Sequence, residues 1–342
     1  MMAVLPRSAA PTVRPITFPW LGQAVLALAL ITYPLVATPF FTFQIGAYVL
    51  VLGTIALSLM FLAGYGGMVS LAQMTIAGVA GYMIAIFGTN SAGLGLSWPW
   101  YATVPTAIAI ATIASVLIGW IAVRTEGIYT IMITLAIAVA FFYFAQQNYV
   151  VFNGFTGFAG LAPPHLFGLD WRAPVPFYYL ALAVAAVAYA VVLYISRSTF
   201  GLSLQAIRDN PRRMAALGFD VKLHRITAYA IAGMIAACAG VLMVWFNGRI
   251  SPGTIAVDPV ISILVIAVLG GIGRPIGPFL GALVYVLLEN FAIDLIDRER
   301  FNLVIGLAFL SIVLFSPDGI LGLYERLKTR VVREPGERPG GV

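Results

Sequence analysis

Residues 197–225 read RSTFGLSLQAIRDNPRRMAALGFDVKLHR, and this interval, entered through Ser196, decides the fold. It is the longest polar interval between hydrophobic spans in a chain that is otherwise almost continuously apolar. It holds six of the nineteen basic residues: Arg197, Arg208, Arg212, Arg213, Lys222 and Arg225. Phe200, Leu204 and Ile207 recur at helical spacing and predict a short amphipathic helix. Asn210 is placed to cap a second helix, with Pro211 at its first position, where a missing N–H costs nothing. Gly218 stands where a left-handed C-terminal residue is wanted. The reading is two short helices in a basic loop between membrane spans. A loop that only crossed from span to span needs about four residues.

Outward from this loop the composition is that of a membrane protein. Hydrophobic residues make up 61% of 342 and charged residues 9%, against about a quarter charged in soluble domains. Mean hydropathy is +0.98. The net charge of +6 invites a nucleic-acid partner. The basic residues sit in short loops flanking apolar spans, however, so topology accounts for them and no nucleic acid is expected. The single Cys238 and the separated His165 and His224 exclude a disulfide framework and a Cys- or His-based metal site. Residues 1–19 carry Arg7, Arg14 and four prolines without a compact apolar core and cleavage site, and read as a cytoplasmic tail. Residues 321–342 read as a second cytoplasmic tail, mobile from Leu327 onward.

A bilayer crossing takes about 20 residues. Candidates lie at 20–38, 43–63, 68–88, 99–123, 127–150, 176–195, 226–247, 258–272, 275–293 and 301–317. The expected fold is therefore an all-α polytopic bundle over residues 20–320, with about ten spans, some of them broken or re-entrant. Placing the loop at 196–225 in the cytoplasm and alternating outward puts fifteen Lys or Arg inside and four outside (Arg172, Arg249, Arg298, Arg300). The positive-inside rule then favours ten spans and two cytoplasmic termini.

Small residues recur every fourth position: Ala77, Gly81 and Ala85; Ala107, Ala111, Ser115 and Gly119; Ala232, Ala236 and Gly240. Lipid supplies no hydrophobic drive between helices, so such stripes predict tight bundle packing and by themselves nothing functional. Three glycine-rich breaks stand out, at 64–73 (GYGGMVSLAQ), 153–161 (NGFTGFAGL) and 269–282 (LGGIGRPIGPFLGA). Irregular backbone at membrane depth must be buried in protein or line a cavity, and transporters place it where substrates pass. The first and third breaks each pair two glycines ahead of a small-residue helix, which hints at an internal repeat.

A phosphate-binding loop needs a lysine after a glycine-rich turn, and neither Lys222 nor Lys328 has that context, so the chain is not a P-loop ATPase. No Ser-x-x-Lys or His-Glu-x-x-His arrangement appears. Acidic residues cluster at span ends, and Glu289 reads as an interfacial carboxylate at the outer end of a span. The polar residues inside spans are the handles on a pathway. Ser70 and Gln73 share one helix face, and Thr130 and Thr134 share another. A threonine in a membrane helix ordinarily bonds the carbonyl one turn back. Gln73 has four hydrogen-bonding sites to satisfy.

The loop sequence RSTFGLSLQAIRDNPRRMAALGFDV resembles the cytoplasmic coupling loop of branched-chain amino acid ABC transporter permeases, and most closely the second of their two permease subunits. GYGGMVSLAQMTIAGVAGYMIAI, TEGIYTIMITLA, FNGFTGFAGL, SPGTI and VLGGIGRPIGPFLGA are similar to other segments of that family, so the resemblance runs from about residue 43 to 317. It implies a non-catalytic translocation subunit of a bacterial inner membrane, without a cofactor of its own. The implied partners are a second permease, two cytoplasmic ATPases that bind ATP and an extracytoplasmic substrate-binding protein, with lipid around the spans. By position, Gly201, Ala206, Arg208, Ala215, Ala216 and Gly218 fall in the segment that docks on the ATPase. Ser70, Gln73, Thr130 and Thr134 are the expected pathway residues. Asn210-Pro211-Arg212 stands where the family commonly has an acidic pair, and Leu202 where it has Arg, so the charge pattern of docking differs. Two alternatives stay open: a permease of the same superfamily for urea, amides or aromatic acids, and a stand-alone secondary transporter. An embedded enzyme lacks the clustered His, Cys or paired carboxylates it requires.

Overall fold

The computed structural model describes residues 20–91, 93, 95–164, 170–295 and 306. The tail at 1–19, His165, all of the stretch 301–317 except residue 306, and the tail at 321–342 lie outside them. The described residues form a helical membrane protein. Its helices are α1 (Trp20–Val36), α2 (Phe41–Tyr65), α3 (Gln73–Phe87), α4 (Trp100–Ala122), α5 (Ile128–Gln147), α6 (Pro174–Arg197), α7 (Thr199–Asp209), α8 (Pro211–Ala216), α9 (Val221–Asn247), α10 (Val257–Gly270) and α11 (Gly277–Leu295). Six helical stretches are long and apolar enough to cross a bilayer: α2, α4, α5, α6, α9 and Pro252–Gly270. The last gains its length from a 3-10 turn at Pro252–Ile255 that runs into α10, so the stretch that looks short in sequence is extended at its N-terminal side. Three more apolar helices are shorter, within α1, α3 and α11.

The small-residue stripes face one another and set the centre of the bundle. A Cβ on Gly240 of α9 would lie 2.2 Å from the Ala77 carbonyl oxygen of α3. One on Gly233 would lie 2.2 Å from Ser115 Cβ of α4, and one on Gly119 of α4 would lie 2.6 Å from Tyr229 Cβ of α9. Ser115 Oγ donates to the Tyr229 carbonyl at 2.7 Å across the same interface. Backbones brought this close collect dispersion contacts along their length, the main source of helix association in lipid. α5 is attached differently, through a narrow stripe of Thr130, Thr134, Ala138 and Ala145. In α1, Pro34 has no N–H for the Leu30 carbonyl one turn back. Tyr178 of α6 donates its hydroxyl to that carbonyl at 2.9 Å.

The described connections segregate to two ends. At one end, Ser91 N and Oγ donate to the Ala159 carbonyl, and Leu161 N donates to Gly248 O. There Phe158–Ala159 (β1) pairs antiparallel with Arg249–Ile250 (β2), with Phe158 opposite Ile250. The second glycine-rich break is thus a loop pinned over the end of α3. Phe152 beneath it stacks edge-on against Tyr82, Phe141 and Phe144. At the other end lie the α2–α3 connection, the segment with α7 and α8, and the α10–α11 turn.

Candidate coupling and translocation site

The first glycine-rich break is a loosening of α2 followed by unwound chain. Residues Phe61–Tyr65 are π-helical, and Met68 N reaches back to Leu62 O at 3.0 Å. Gly67 at φ +66° reverses the chain, a conformation that costs a side-chain-bearing residue but not glycine. Residues Ser70, Leu71 and Ala72 are then buried without regular structure before α3 begins at Gln73, five residues later than the expected span. Buried irregular backbone demands partners, and a helix from across the bundle supplies one. Thr134 Oγ1 of α5 accepts from Leu71 N at 3.1 Å, and lies 3.0 Å from the Thr130 carbonyl to which it donates. The hydroxyl makes the bond to its own preceding turn and caps the entrance of α3 as well. Thr134→Val, which keeps the shape and strands Leu71 N, is expected to cost about 1–3 kcal/mol. A fall in the midpoint of detergent-denaturation curves measures it.

Gln73 is fully buried, and its Oε1 lies 3.0 Å from Ser58 Oγ of α2. The single Ser58 proton has a competing acceptor in its own Ile55 carbonyl at 2.6 Å. The Gln73 Nε2 has no hydrogen-bond partner. Tyr229 of α9 is fully buried, and its hydroxyl has no hydrogen-bond partner among the described residues. Ser70, Gln73 and Thr134 therefore gather at the entrance of α3. Thr130 is set apart and binds Thr125, with Oγ1 3.1 Å from the Thr125 carbonyl. Ser58 is a member that sequence reading does not single out. A serine in an apolar run reads as self-bonded, and nothing local to it announces Gln73. Glu289 is half-buried on α11 with one carboxylate oxygen unpartnered, well removed in sequence and contacts from this cluster.

The loop at 196–225 is built by three consecutive caps. Ser198 Oγ accepts from Gly201 N, Asn210 Oδ1 from Arg213 N at 2.9 Å and Asp220 Oδ1 from Leu223 N at 3.0 Å. These open α7, α8 and α9, each satisfying an orphan donor of the first turn. Pro211 occupies the first position of α8. The expected glycine stop is present: Gly218 has φ +91°, Phe219 N donates to Met214 O and Gly218 N to Ala215 O, the paired bonds of a Schellman motif. Leu204 and Ile207 are fully buried, and Phe200 stacks on His224 at 5.6 Å between centroids. Neither the caps at Ser198 and Asp220 nor the Phe200–His224 stack is part of the sequence reading.

The six loop residues assigned by resemblance divide. Ala215, Ala216 and Gly218 are exposed, and Ala206 is half-buried. Gly201 is buried, and a Cβ there would lie 1.9 Å from the Ile195 carbonyl oxygen, so it holds α7 against the end of α6. Arg208 turns back toward the bundle: its Nη1 donates to the Gly64 carbonyl and its Nη2 lies 2.9 Å from Asp209 Oδ1. The outward surface instead presents Leu202, Leu217, Phe219 and Leu223 among Arg212, Arg213 and Lys222. Large apolar residues left bare between helix caps are a signal available in the sequence, and it marks this surface better than the arginines do.

Residues 41–314 match the family described as branched-chain amino acid transport system, permease component. The chain belongs to this family of transport permeases. A high-affinity branched-chain amino acid transport system permease protein, LivM of Escherichia coli, is 24% identical over 78% of this chain and 65% of its own length. The ribose import permease protein RbsC of Haemophilus influenzae is 22% identical over 72% of this chain and 78% of its own. A nucleoside ABC transporter permease protein, NupC of Lactococcus lactis, is 25% identical over 67% of this chain and 74% of its own. No solved structure matches the chain.

Proposed function

We propose that the chain is the membrane-spanning, non-catalytic subunit of an ATP-binding-cassette importer that carries a branched-chain or related amino acid into the cytoplasm. The observation that carries this reading is the loop at 196–225. Three caps make it rigid, its tip is apolar inside a basic rim, and its inner face rests on the break that leads to Gln73. A loop built this way transmits displacement from a soluble partner into the bundle. In this reading the loop and both termini are cytoplasmic, the spans number ten, and the membrane is a bacterial inner membrane. Two cytoplasmic ATPases supply the energy, a second permease completes the pathway and an extracytoplasmic protein delivers substrate. Family membership supports transport, and the LivM relative favours an amino acid over the ribose and nucleoside of the other two.

The test is a mild-detergent purification of the tagged chain from its native membrane, followed by reconstitution. A co-purifying P-loop ATPase and ATP-dependent uptake of labelled leucine, with no uptake of ribose or uridine, is the expected result. Uptake by the chain alone without ATP overturns the importer. In the same purification, Leu217→Asp with Phe219→Asp is expected to lower ATPase recovery at least about tenfold, since a charge placed in a desolvated apolar contact costs several kcal/mol. Unchanged recovery rejects this surface as the docking site.

A further inference from the structure

We propose that Arg208 is a positioning residue that fastens the coupling loop to the broken entrance of α3, and that it does not contact the partner ATPase. The proposal rests on the importer reading for its consequence and on this chain alone for its geometry. α2 ends at Tyr65, where the Leu62 and Ala63 carbonyls accept from the backbone N–H groups of Gly66, Gly67 and Met68. The Gly64 carbonyl accepts from Arg208 Nη1. Asp209, the next residue, accepts from Arg208 Nε and Nη2, both at 2.9 Å and both through Oδ1, which orients the guanidinium. The stem of the same side chain lies on Gly67: a Cβ there would be 2.5 Å from Arg208 Cγ and 3.3 Å from its Cβ. One turn earlier on α7, the buried Leu204 lies beneath Gly66. Gly64 is also pressed against the α10–α11 turn, where a Cβ would come 2.3 Å from the Ile272 carbonyl oxygen.

One guanidinium thus joins α7 to the backbone of Gly64 and Gly67, and through them to the turn at Ile272. From Gly67 the unwound chain runs directly to Leu71, which Thr134 holds, and to Gln73. Displacement of α7 therefore reaches this segment directly, through Arg208 and Leu204. The Arg208 side chain is 40% exposed, but its Nη1, Nε and Nη2 are already engaged by Gly64 and Asp209.

The experiment uses the complete transporter carrying Arg208→Met, Arg208→Lys, Gly67→Ala, and the double variant Arg208→Met with Gly67→Ala. Hydrogen–deuterium exchange of the peptide covering 61–73 is expected to speed up about tenfold in Arg208→Met, the change that goes with a lost charge-assisted hydrogen bond. Arg208→Lys restores part of the protection, because an ammonium reaches one carbonyl but cannot fork to Asp209. Transport per ATP hydrolysed is expected to fall about tenfold in Arg208→Met while the ATPase still co-purifies. Gly67→Ala pushes on the same stem, so the double variant is expected to be no worse than the poorer single one. Unchanged exchange at 61–73 overturns the latch whatever drives transport. Loss of the co-purifying ATPase in Arg208→Met also overturns it, by making Arg208 a docking residue. A wild-type protein that transports without ATP defeats the importer reading, and the exchange result then decides the latch separately.

Discussion

Gly240→Leu is expected to abolish the folded protein. Gly240 lies on the face of α9 that meets α3, and a Cβ there would sit 2.2 Å from the Ala77 carbonyl oxygen and 2.6 Å from its Cα. Both are backbone atoms, so no side chain can rotate out of the way and the helices must separate. Separation opens the central interface along which Ala77, Ala232 and Ala236 are all buried. Overpacking a well-filled core costs about 1–3 kcal/mol, and forcing two backbones apart in lipid removes the contacts that hold them, so the loss exceeds that range. The measurement is the monodisperse fraction in size-exclusion chromatography after detergent extraction, against Gly218→Ala as control. Gly218 has open space where its Cβ would be, and only the left-handed backbone resists. Its replacement costs about 1 kcal/mol and leaves the bundle assembled. A normal Gly240→Leu peak would mean that α3 and α9 do not approach in this way.

Gln73→Leu is expected to give the opposite split, with transport falling about tenfold or more while the yield of folded protein holds or rises. Ser58 is the polar side chain that Gln73 meets, so whichever way the amide is turned one end has no partner. A buried unpaired amide costs about 1–3 kcal/mol, which the near-isosteric leucine removes. Ser58 loses little, because its hydroxyl keeps the Ile55 carbonyl at 2.6 Å. If Gln73 lines the pathway, a passing polar substrate would complete the amide's bonds, and that is the case the substitution tests. Uptake assays on the reconstituted complex, paired with thermal-shift curves, separate the cases. Loss of folded protein makes Gln73 structural, and unchanged uptake removes it from the pathway.

What the residues alone determined follows from rules that act within one or two helical turns. The apolar runs located helices at nine of the ten expected stretches, with the tenth beyond the described residues. Asn210, Pro211 and Gly218 fixed where α8 begins and ends, because a cap is satisfied by atoms three to five residues away. The spacing of Phe200, Leu204 and Ile207 found the buried face of α7 for the same reason. Motif similarity along most of the chain pointed to the transport family. Partners distant in the chain were decided only by the tertiary structure. Thr134 caps Leu71 from 63 residues away, and Arg208 reaches Gly64 across 144. In sequence Arg208 is one basic residue in a basic loop, and nothing in its neighbours says which way it turns. The stripes of small residues announced close packing, but the pairing of Gly240 with Ala77 and of Gly233 with Ser115 depends on how the helices cross. Burial explains the asymmetry: a hydrogen bond to a neighbouring turn forms in any isolated helix, whereas a bond between distant segments exists only once the bundle has excluded its competitors.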